Sequence, residues 1–211
     1  MSDIEERFEQ LIEQIVEQEF AISDHFFPNN TLVGLLNHLK RLQEKEQMKK
    51  AGIGQAVEHE INRQIRGDEI KWLPKESRLD FEIEFNRQIQ SFMSYLNRSC
   101  FLSLNDFEFH YTCYPEGTFY KKHIDRFQHD SSRQISFIVY LNQNWEASHG
   151  GEVVVYPHNK GAVKVAPTWG RVLCFRSHEL AHEVLATSKL RYSVTGWLKS
   201  VNADKVLQLI D

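Results

Sequence analysis

Three side chains have the types and the spacing needed to hold one metal ion. His123 and Asp125 lie two positions apart in TFYKKHIDRF, a stretch that reads as extended, so both side chains point to the same face. His182 follows 59 residues after His123, beyond several predicted strands that could fold back beside this pair. Two histidines and one carboxylate leave coordination positions open, an arrangement that non-haem iron(II) oxygenases use. The histidine-x-aspartate pair alone is weak evidence, because a surface pair shows the same pattern.

Arg191, nine residues after His182, could bind an anionic group beside such a metal. Counting by two along RYSVTGWL places Arg191, Ser193, Thr195 and Trp197 on one strand face, and Tyr192, Val194 and Leu198 on the other. An arginine that faces the interior needs an anionic partner, because burial of an unpaired guanidinium is costly. The far carboxylate of 2-oxoglutarate would fit its planar fork of donors. An arginine on the outward face remains an alternative.

A competing motif overlaps the second histidine. Residues 178–182, HELAH, match H-E-x-x-H, which binds zinc in metalloproteases when the five residues form a helix. Helix propensity does not exclude this reading, but no histidine follows His182 to serve as a third ligand, and the longer metzincin form is absent. The apolar run RVLCF before the motif and RYSVTGW after it also favour a β context. The sequence therefore disfavours the protease interpretation.

The elements that must position these residues divide the chain into two parts. Apolar residues at helical spacing predict amphipathic helices over 2–20, 31–50 and 80–98, the first beginning with the capping-box residues Ser2 and Glu5. Residues 52–67 are polar and contain glycines, which predicts a flexible connector. Beyond residue 100, short apolar or alternating runs predict a β core: FEFHYTCY, QISFIVYL, GEVVVYP, GAVKVAP, RVLCFR and RYSVTGWL.

The composition is that of an ordinary globular protein and excludes several function classes. The 211 residues suit one domain, and no apolar run is long enough to cross a bilayer. A net charge of −4 removes the usual electrostatic argument for a nucleic-acid partner. The acidic start MSDIEERFEQ is unlike a secretory signal, and three cysteines without a CxxC pair suit reduced thiols. We therefore expect a cytoplasmic protein without membrane insertion.

Six segments together resemble the 2-oxoglutarate-dependent prolyl hydroxylases of the hypoxia-inducible-factor type and their bacterial relatives. They are IRGDEIKWL (65–73), FHYTCYPEGTFYKKHID (109–125), RQISFIVYLNQNW (133–145), GGEVVVYP (150–157), GRVLCFRSHELAHEV (170–184) and RYSVTGW (191–197). The IRGD segment with its following tryptophan indicates this branch in particular. The resemblance implies one dioxygenase domain over 1–211. Its double-stranded β-helix core, of the jelly-roll or cupin-like kind, would occupy 101–200, with supporting helices within 1–100.

The resemblance also implies roles for individual residues. The iron(II) ligands would be His123, Asp125 and His182, and no other catalytic group is implied. The 2-oxoglutarate pocket would be lined by Arg191, Tyr140, Tyr114, Thr195 and Trp197, with Arg191 and Tyr140 bonding the far carboxylate. Dioxygen would be the second cosubstrate, and ascorbate a reductant. The aromatic residues could equally be plain barrel filling.

A protein carrying a target proline would be the substrate, bound in a groove beside three charged residues, Arg66, Asp68 and Arg133. The resemblance makes the connector near 52–67 a mobile loop that folds over this substrate. We expect Asp68 and Arg133 to form an ion pair that ties the end of the loop to the strand bearing Tyr140. Two solvated charges that never meet are the alternative. For the whole chain, an oxygenase of the same fold acting on another peptide or a small molecule also remains open.

Overall fold

Three α-helices form one layer of the protein in its computed structural model, which describes residues 2–52, 65–125 and 132–201. They are α1 (Asp3–Gln18), α2 (Asn29–Glu44) and α3 (Asp80–Cys100). The predicted capping box starts α1: the Ser2 hydroxyl accepts from the backbone N–H of Glu5, and the Glu5 carboxylate accepts from that of Ser2. The first and third predicted helices are confirmed to within two residues.

The strands of the described residues form two antiparallel sheets. They are β1 (Phe20–Ser23), β2 (Lys49–Lys50), β3 (Glu69–Trp72), β4 (Asp106–Tyr114), β5 (Tyr120–His123), β6 (Arg133–Tyr140), β7 (Val153–Tyr156), β8 (Val163–Val165), β9 (Val172–Arg176), β10 (Ala181–Val184) and β11 (Arg191–Lys199). The major sheet has the order β1-β9-β6-β11-β4-β3-β2, and the minor sheet has the order β5-β10-β7-β8. The predicted β core beyond residue 100 is confirmed.

Two apolar clusters hold these layers together. The larger one packs α1, α2 and α3 against the major sheet, with Phe8, Phe26, Phe92 and Phe137 in mutual ring contact. The smaller one joins both sheets, because it contains residues of β6 and β9 together with residues of β7, β8 and β10. Burial of this apolar surface supplies most of the favourable free energy of folding. The helices therefore cover the outer face of the major sheet, and its inner face is left to line a cavity.

Residues on β11 alternate between these two environments as the sequence predicts. Arg191, Thr195 and Trp197 line the cavity, whereas Val194 and Leu198 belong to the helix-side core. The interior position predicted for Arg191 is therefore confirmed by a side chain that is 1% exposed.

The stretch that follows α2 differs from the prediction. The helix ends at Glu44 instead of continuing to residue 50, and Lys49–Lys50 forms a short strand paired with β3. The residues between them, KEQM (45–48), are good helix formers, so sequence alone gives no local stop. The predicted loop near 52–67 lies mostly outside the described residues. In the part of the chain that is described, no helix has the length and apolar character needed to span a bilayer.

Candidate metal centre and adjoining cavity

The pairing of two short strands brings the predicted metal ligands together. β5 and β10 are antiparallel neighbours in the minor sheet, and their register places His182 directly opposite His123. Asp125 follows two residues after His123, at the end of the stretch that β5 begins. Cross-strand neighbours have Cβ atoms only about 5 Å apart, so this register brings both imidazoles to one point.

The three side chains have the geometry of an ion site. Their ligating atoms lie within 4.8 Å of one another. Nε2 of His123 is 3.5 Å from Oδ1 of Asp125, and Nε2 of His182 is 3.7 Å from Oδ2 of the same carboxylate. Two nitrogens and one oxygen on one side of a cation form the facial donor set that suits iron(II) and leaves positions for other ligands. The residues present therefore fit iron(II).

Backbone carbonyls orient both imidazoles towards this point. Nδ1 of His123 lies 2.7 Å from the carbonyl oxygen of Lys121, and Nδ1 of His182 lies 3.2 Å from that of Leu180. A carbonyl can only accept, so Nδ1 carries the proton in each ring and Nε2 presents its lone pair. Burial lowers the pKa of His182 to about 4, which keeps its ring neutral and able to bind a metal.

The carboxylate of Asp125 is held by a hydroxyl of the major sheet. Ser136 donates to Oδ2 of Asp125 at 2.6 Å, and its oxygen lies 2.9 Å from Oγ of Ser177. Although burial opposes ionisation, His182, His123 and this hydrogen bond hold the pKa of Asp125 well below its usual range. The ligand is therefore an anion at neutral pH. Together, His123, Asp125 and His182 form the metal end of the cavity.

The other end of the same cavity is built to receive an anion. The guanidinium of Arg191 lies 4.9 Å from the ring centre of Tyr114 and 5.1 Å from that of Tyr140, and its Nε donates to the carbonyl of Gly151 at 2.8 Å. No carboxylate pairs with it among the described residues. The hydroxyl of Tyr140 is buried and has no hydrogen-bond partner within the described part of the chain. Arg191, Tyr140 and Tyr114 are called the anion end.

This end fits one carboxylate of 2-oxoglutarate. A buried cation without a counterion is costly, and so is a buried hydroxyl without a partner, and one bound carboxylate would satisfy both. Burial raises the pKa of Tyr140 to about 12 despite the nearby Arg191, so its hydroxyl keeps the proton that it would donate. Thr195 and Trp197 also line this cavity.

The three charged residues predicted near the substrate also line the cavity, but the predicted ion pair is wrong. Asp68 accepts two hydrogen bonds from Arg66, at 2.7 and 2.6 Å. Arg133 instead donates to Glu108 at 3.1 and 2.8 Å, with its guanidinium 3.4 Å from the ring centre of Trp197. Arg66 and Asp68 are two positions apart in nearly extended chain and so share a face. Glu108 and Arg133 belong to β4 and β6, the two neighbours of β11, and meet across Trp197.

The H-E-x-x-H interpretation fails because these residues do not form a helix. His178 and Glu179 lie in a turn, and β10 begins at Ala181. Nε2 of His178 lies 3.0 Å from the adjacent Glu179 carboxylate, whereas His182 faces the metal end. The two histidines therefore do not present a shared ligand face.

Sequence reasoning missed several residues that shape the cavity. His110 and Thr112 line its wall, Ser136 holds Asp125, and Gly151 holds Arg191. The signal for His110 and Thr112 was present, because both share a strand face with Tyr114. No local pattern marks Ser136 or Gly151, whose roles depend on distant segments meeting.

Comparisons with known proteins agree with this geometry. Residues 109–199 match the family described as the 2OG-Fe(II) oxygenase superfamily. The chain is 34% identical over 145 residues to prolyl hydroxylase EGLN3 of Mus musculus, covering 64% of this chain and 59% of that protein. It is 31% identical over 146 residues to Egl nine homolog 1 of the same species, covering 36% of that protein. The matched region thus spans less than two thirds of the length of each of these relatives.

Solved structures match over more of the chain. A prolyl-4-hydroxylase of Pseudomonas putida has a TM-score of 0.83 and 28% identity, covering 91% of this chain and 98% of that one. A prolyl hydroxylase of Trichoplax adhaerens, solved with a hypoxia-inducible-factor oxygen-degradation-domain peptide, has a TM-score of 0.85 and 26% identity, covering 99% and 94%. Together with the two facing sheets, these matches confirm the predicted double-stranded β-helix.

Proposed function

Residues 109–199 form a 2OG-Fe(II) oxygenase domain, homologous to the EGLN prolyl hydroxylases, and from this premise we propose that the chain hydroxylates prolyl residues in a protein substrate. His123, Asp125 and His182 are assigned as the iron(II) ligands, and Arg191 and Tyr140 as the groups that bind the far carboxylate of 2-oxoglutarate. Tyr114, Thr195 and Trp197 are assigned to the walls of the cosubstrate pocket.

One observation carries this proposal: a cation site and an unpaired buried arginine lie in one cavity. The three ligand side chains and Arg191 all line the same space, which is also open to solvent beside Trp72 and Ile124. A metal ion alone would leave the arginine without a counterion, and an anion alone would leave the ligand triad without a cation. An iron oxygenase with a dicarboxylate cosubstrate uses both.

Iron(II), 2-oxoglutarate and dioxygen together supply an oxidation in which one oxygen atom enters a substrate C–H bond and the other enters succinate, with release of carbon dioxide. The chain contributes binding and orientation. Its three ligands fix the position of the metal on one side and leave the other side free. Arg191 and Tyr140 fix the far end of the cosubstrate, and the apolar residues of the sheets, such as Ile138 and Val153, limit the access of water.

A prolyl substrate is supported by the relatives and by the mouth of the cavity. The relatives EGLN3 of Mus musculus and the Pseudomonas putida and Trichoplax adhaerens enzymes are prolyl hydroxylases, and the last was solved with a peptide bound. In this chain Trp72 is 51% exposed at the mouth, beside Arg66, Asp68 and Arg133. Aromatic and charged side chains at an open rim suit an extended peptide. We assign these three charged residues to the substrate groove.

The test has two stages. Addition of iron(II) and 2-oxoglutarate to the purified chain under nitrogen should produce a weak visible charge-transfer band. Incubation in air with a library of capped synthetic peptides, each with one proline, should then add one oxygen atom to specific peptides, detected by mass spectrometry. The band without peptide oxidation would indicate an oxygenase with another substrate, and absence of the band would refute the metal and cosubstrate assignments.

Two further assignments accompany this function. We propose ascorbate as the reductant that keeps the iron in its reduced state, which predicts that omitting it shortens the linear phase of succinate formation. We also propose a cytoplasmic location, which the three free cysteines, Cys100, Cys113 and Cys174, support. Fractionation of expressing cells tests the location.

A further inference from the structure

One buried histidine in the cavity has no part in the chemistry above. His110 is 3% exposed and lines the same cavity as the metal ligands. It lies on β4 directly between two cross-strand partners, Trp72 on β3 and Thr195 on β11. Trp72 stands half exposed at the mouth, whereas Thr195 lines the cavity and is partly buried. His110 therefore lies on the path between the opening and the place where the cosubstrate binds.

The hydrogen bonds of His110 leave one ring nitrogen available. Nδ1 lies 2.8 Å from the hydroxyl oxygen of Thr112, whereas Nε2 makes no hydrogen bond to another described residue. The ring of Trp72 stands 5.2 Å away at 86°, and that of Trp197 lies 5.7 Å away, so aromatic walls flank the imidazole. Nε2 is not among the buried polar atoms that lack a partner, so it is accessible from the cavity and can bond to a group that enters it.

The imidazole of His110 is neutral, so it has a single N–H to donate. Burial lowers the pKa of His110 to about 4; Asp68 opposes this shift, and the guanidinium groups of Arg66 and Arg133 add to it. If the Thr112 hydroxyl donates to Nδ1, the single ring proton is on Nε2, which then donates towards the cavity. A prolyl residue has no backbone N–H, so the peptide bond before it presents a carbonyl oxygen and no donor. A neutral donor complements such a substrate.

We propose that His110 determines substrate specificity by donating a hydrogen bond from Nε2 to a peptide carbonyl that flanks the target proline. This inference rests on the proposed function, because it takes a prolyl peptide as the substrate. Thr112 positions the imidazole and sets its tautomer, and Trp72 and Trp197 hold the ring from either side. His110 takes no part in metal or 2-oxoglutarate binding.

Peptide affinity under nitrogen tests this assignment without turnover. The chain is loaded with iron(II) and 2-oxoglutarate, and a peptide that the wild type hydroxylates in the library is titrated by calorimetry. His110→Leu should raise the peptide Kd about tenfold, the usual effect of losing one neutral hydrogen bond. His110→Gln, whose amide can reach the position of Nε2, should recover most of the affinity. The 2-oxoglutarate Kd and the charge-transfer band should stay unchanged in both variants.

A modified peptide locates the hydrogen bond. The carbonyls before and after the proline are replaced in turn by thioamides, which are weaker acceptors. One replacement should weaken binding to the wild type but not to His110→Leu, so that the two changes are non-additive. Thr112→Val should weaken binding less than His110→Leu does. Tyr111→Phe, on the opposite face of the same strand, is the matched control and should leave both affinities unchanged.

The results separate failure of this inference from failure of the proposed function. If the wild type hydroxylates a prolyl peptide and His110→Leu binds that peptide equally well, His110 does not contribute to peptide binding. If His110→Leu weakens 2-oxoglutarate binding instead, the histidine serves the cosubstrate, and the inference is wrong. If the wild type shows the charge-transfer band but oxidises no prolyl peptide, the substrate assignment fails and this inference fails with it.

Discussion

The two ends of the cavity are built in opposite ways. At the metal end, each imidazole is oriented by the backbone carbonyl two residues before it, and a carboxylate supplies the negative charge. At the anion end, Arg191 is oriented by Gly151, 40 residues away, and its charge has no acidic partner among the described residues. The negative charge at the metal end would be balanced by a cation, and the positive charge at the anion end would be balanced by an anion. The cavity therefore has a built-in polarity that favours a metal at one end and a carboxylate at the other.

Loss of a ligand at the metal end should have the largest effect. Asp125→Ala or His182→Ala should lower succinate formation by at least about 100-fold, because changes even to groups that only support a ligand cost 10- to 100-fold. His178→Ala is the control, since this histidine lies four residues from His182 but faces away from the site. Succinate formation and bound iron should be measured together. If His178→Ala lost as much succinate formation and bound iron, His178 would be a ligand, as the zinc-protease interpretation requires.

Substitutions at the anion end should weaken 2-oxoglutarate binding and leave metal binding unchanged. Arg191→Ala should raise the 2-oxoglutarate Kd by about 10- to 100-fold, the range for a lost hydrogen bond to a charged group. Arg191→Lys keeps the charge but loses the planar fork, so its effect should be smaller. Tyr140→Phe should have a smaller effect still. Calorimetry measures all three, and unchanged affinities would remove Arg191 and Tyr140 from the site.

Burial of His110 in the cavity wall should make the stability of the fold depend on pH. Burial holds the pKa of His110 at about 4 in the folded protein, against about 6.5 for an unperturbed histidine, so the unfolded chain binds the proton more readily. Folding free energy should therefore be lost as the pH falls below about 6.5, by about 2 kcal/mol between pH 7 and pH 5. Urea unfolding of wild type and His110→Gln at both pH values isolates this contribution. The inference that the ring is neutral is wrong if the two proteins lose stability equally.

The smallest effect is expected where the metal end contacts the major sheet. Ser136→Ala removes the hydroxyl that donates to Asp125 and should weaken iron(II) binding about tenfold. Ser177→Ala removes a contact only to Ser136 and should weaken it less. A competition assay with a chelator measures the iron(II) affinity of each variant and so ranks the two effects. If Ser177→Ala has the larger effect, the two hydroxyls support the ligand differently from the arrangement described.

Features that depend on local periodicity were predictable from the sequence. The shared face of His123 and Asp125, the inward side of Arg191 and the start of α1 follow from spacings of two or of three to four residues. The sequence also contained the Arg66–Asp68 pair, since two residues that are two apart in extended chain share a face. The partner of Arg133 was not predictable, because Glu108 reaches it only through the strand order β4-β11-β6.

Strand pairing also explains the end of α2 and the missed residues. The sequence after Glu44 keeps its helix propensity, and the pairing of Lys49–Lys50 with β3 overrides it. Ser136 and Gly151 act on residues 11 and 40 positions away, so their roles appear only when the sheets are assembled. Long-range contacts of this kind leave no periodic signal.

Gly151 makes the anion end vulnerable to a mutation that touches no functional group. Its backbone has a φ of +68°, a conformation that residues with side chains rarely adopt. A Cβ at this position would lie 3.1 Å from Cδ of Arg191 and 3.1 Å from Cβ of Thr187. Any substitution would therefore press on the arginine whose Nε this residue holds. During evolution, drift at position 151 could alter cosubstrate choice while every binding side chain stayed the same, so residue identity at the site would understate how far two homologues have diverged.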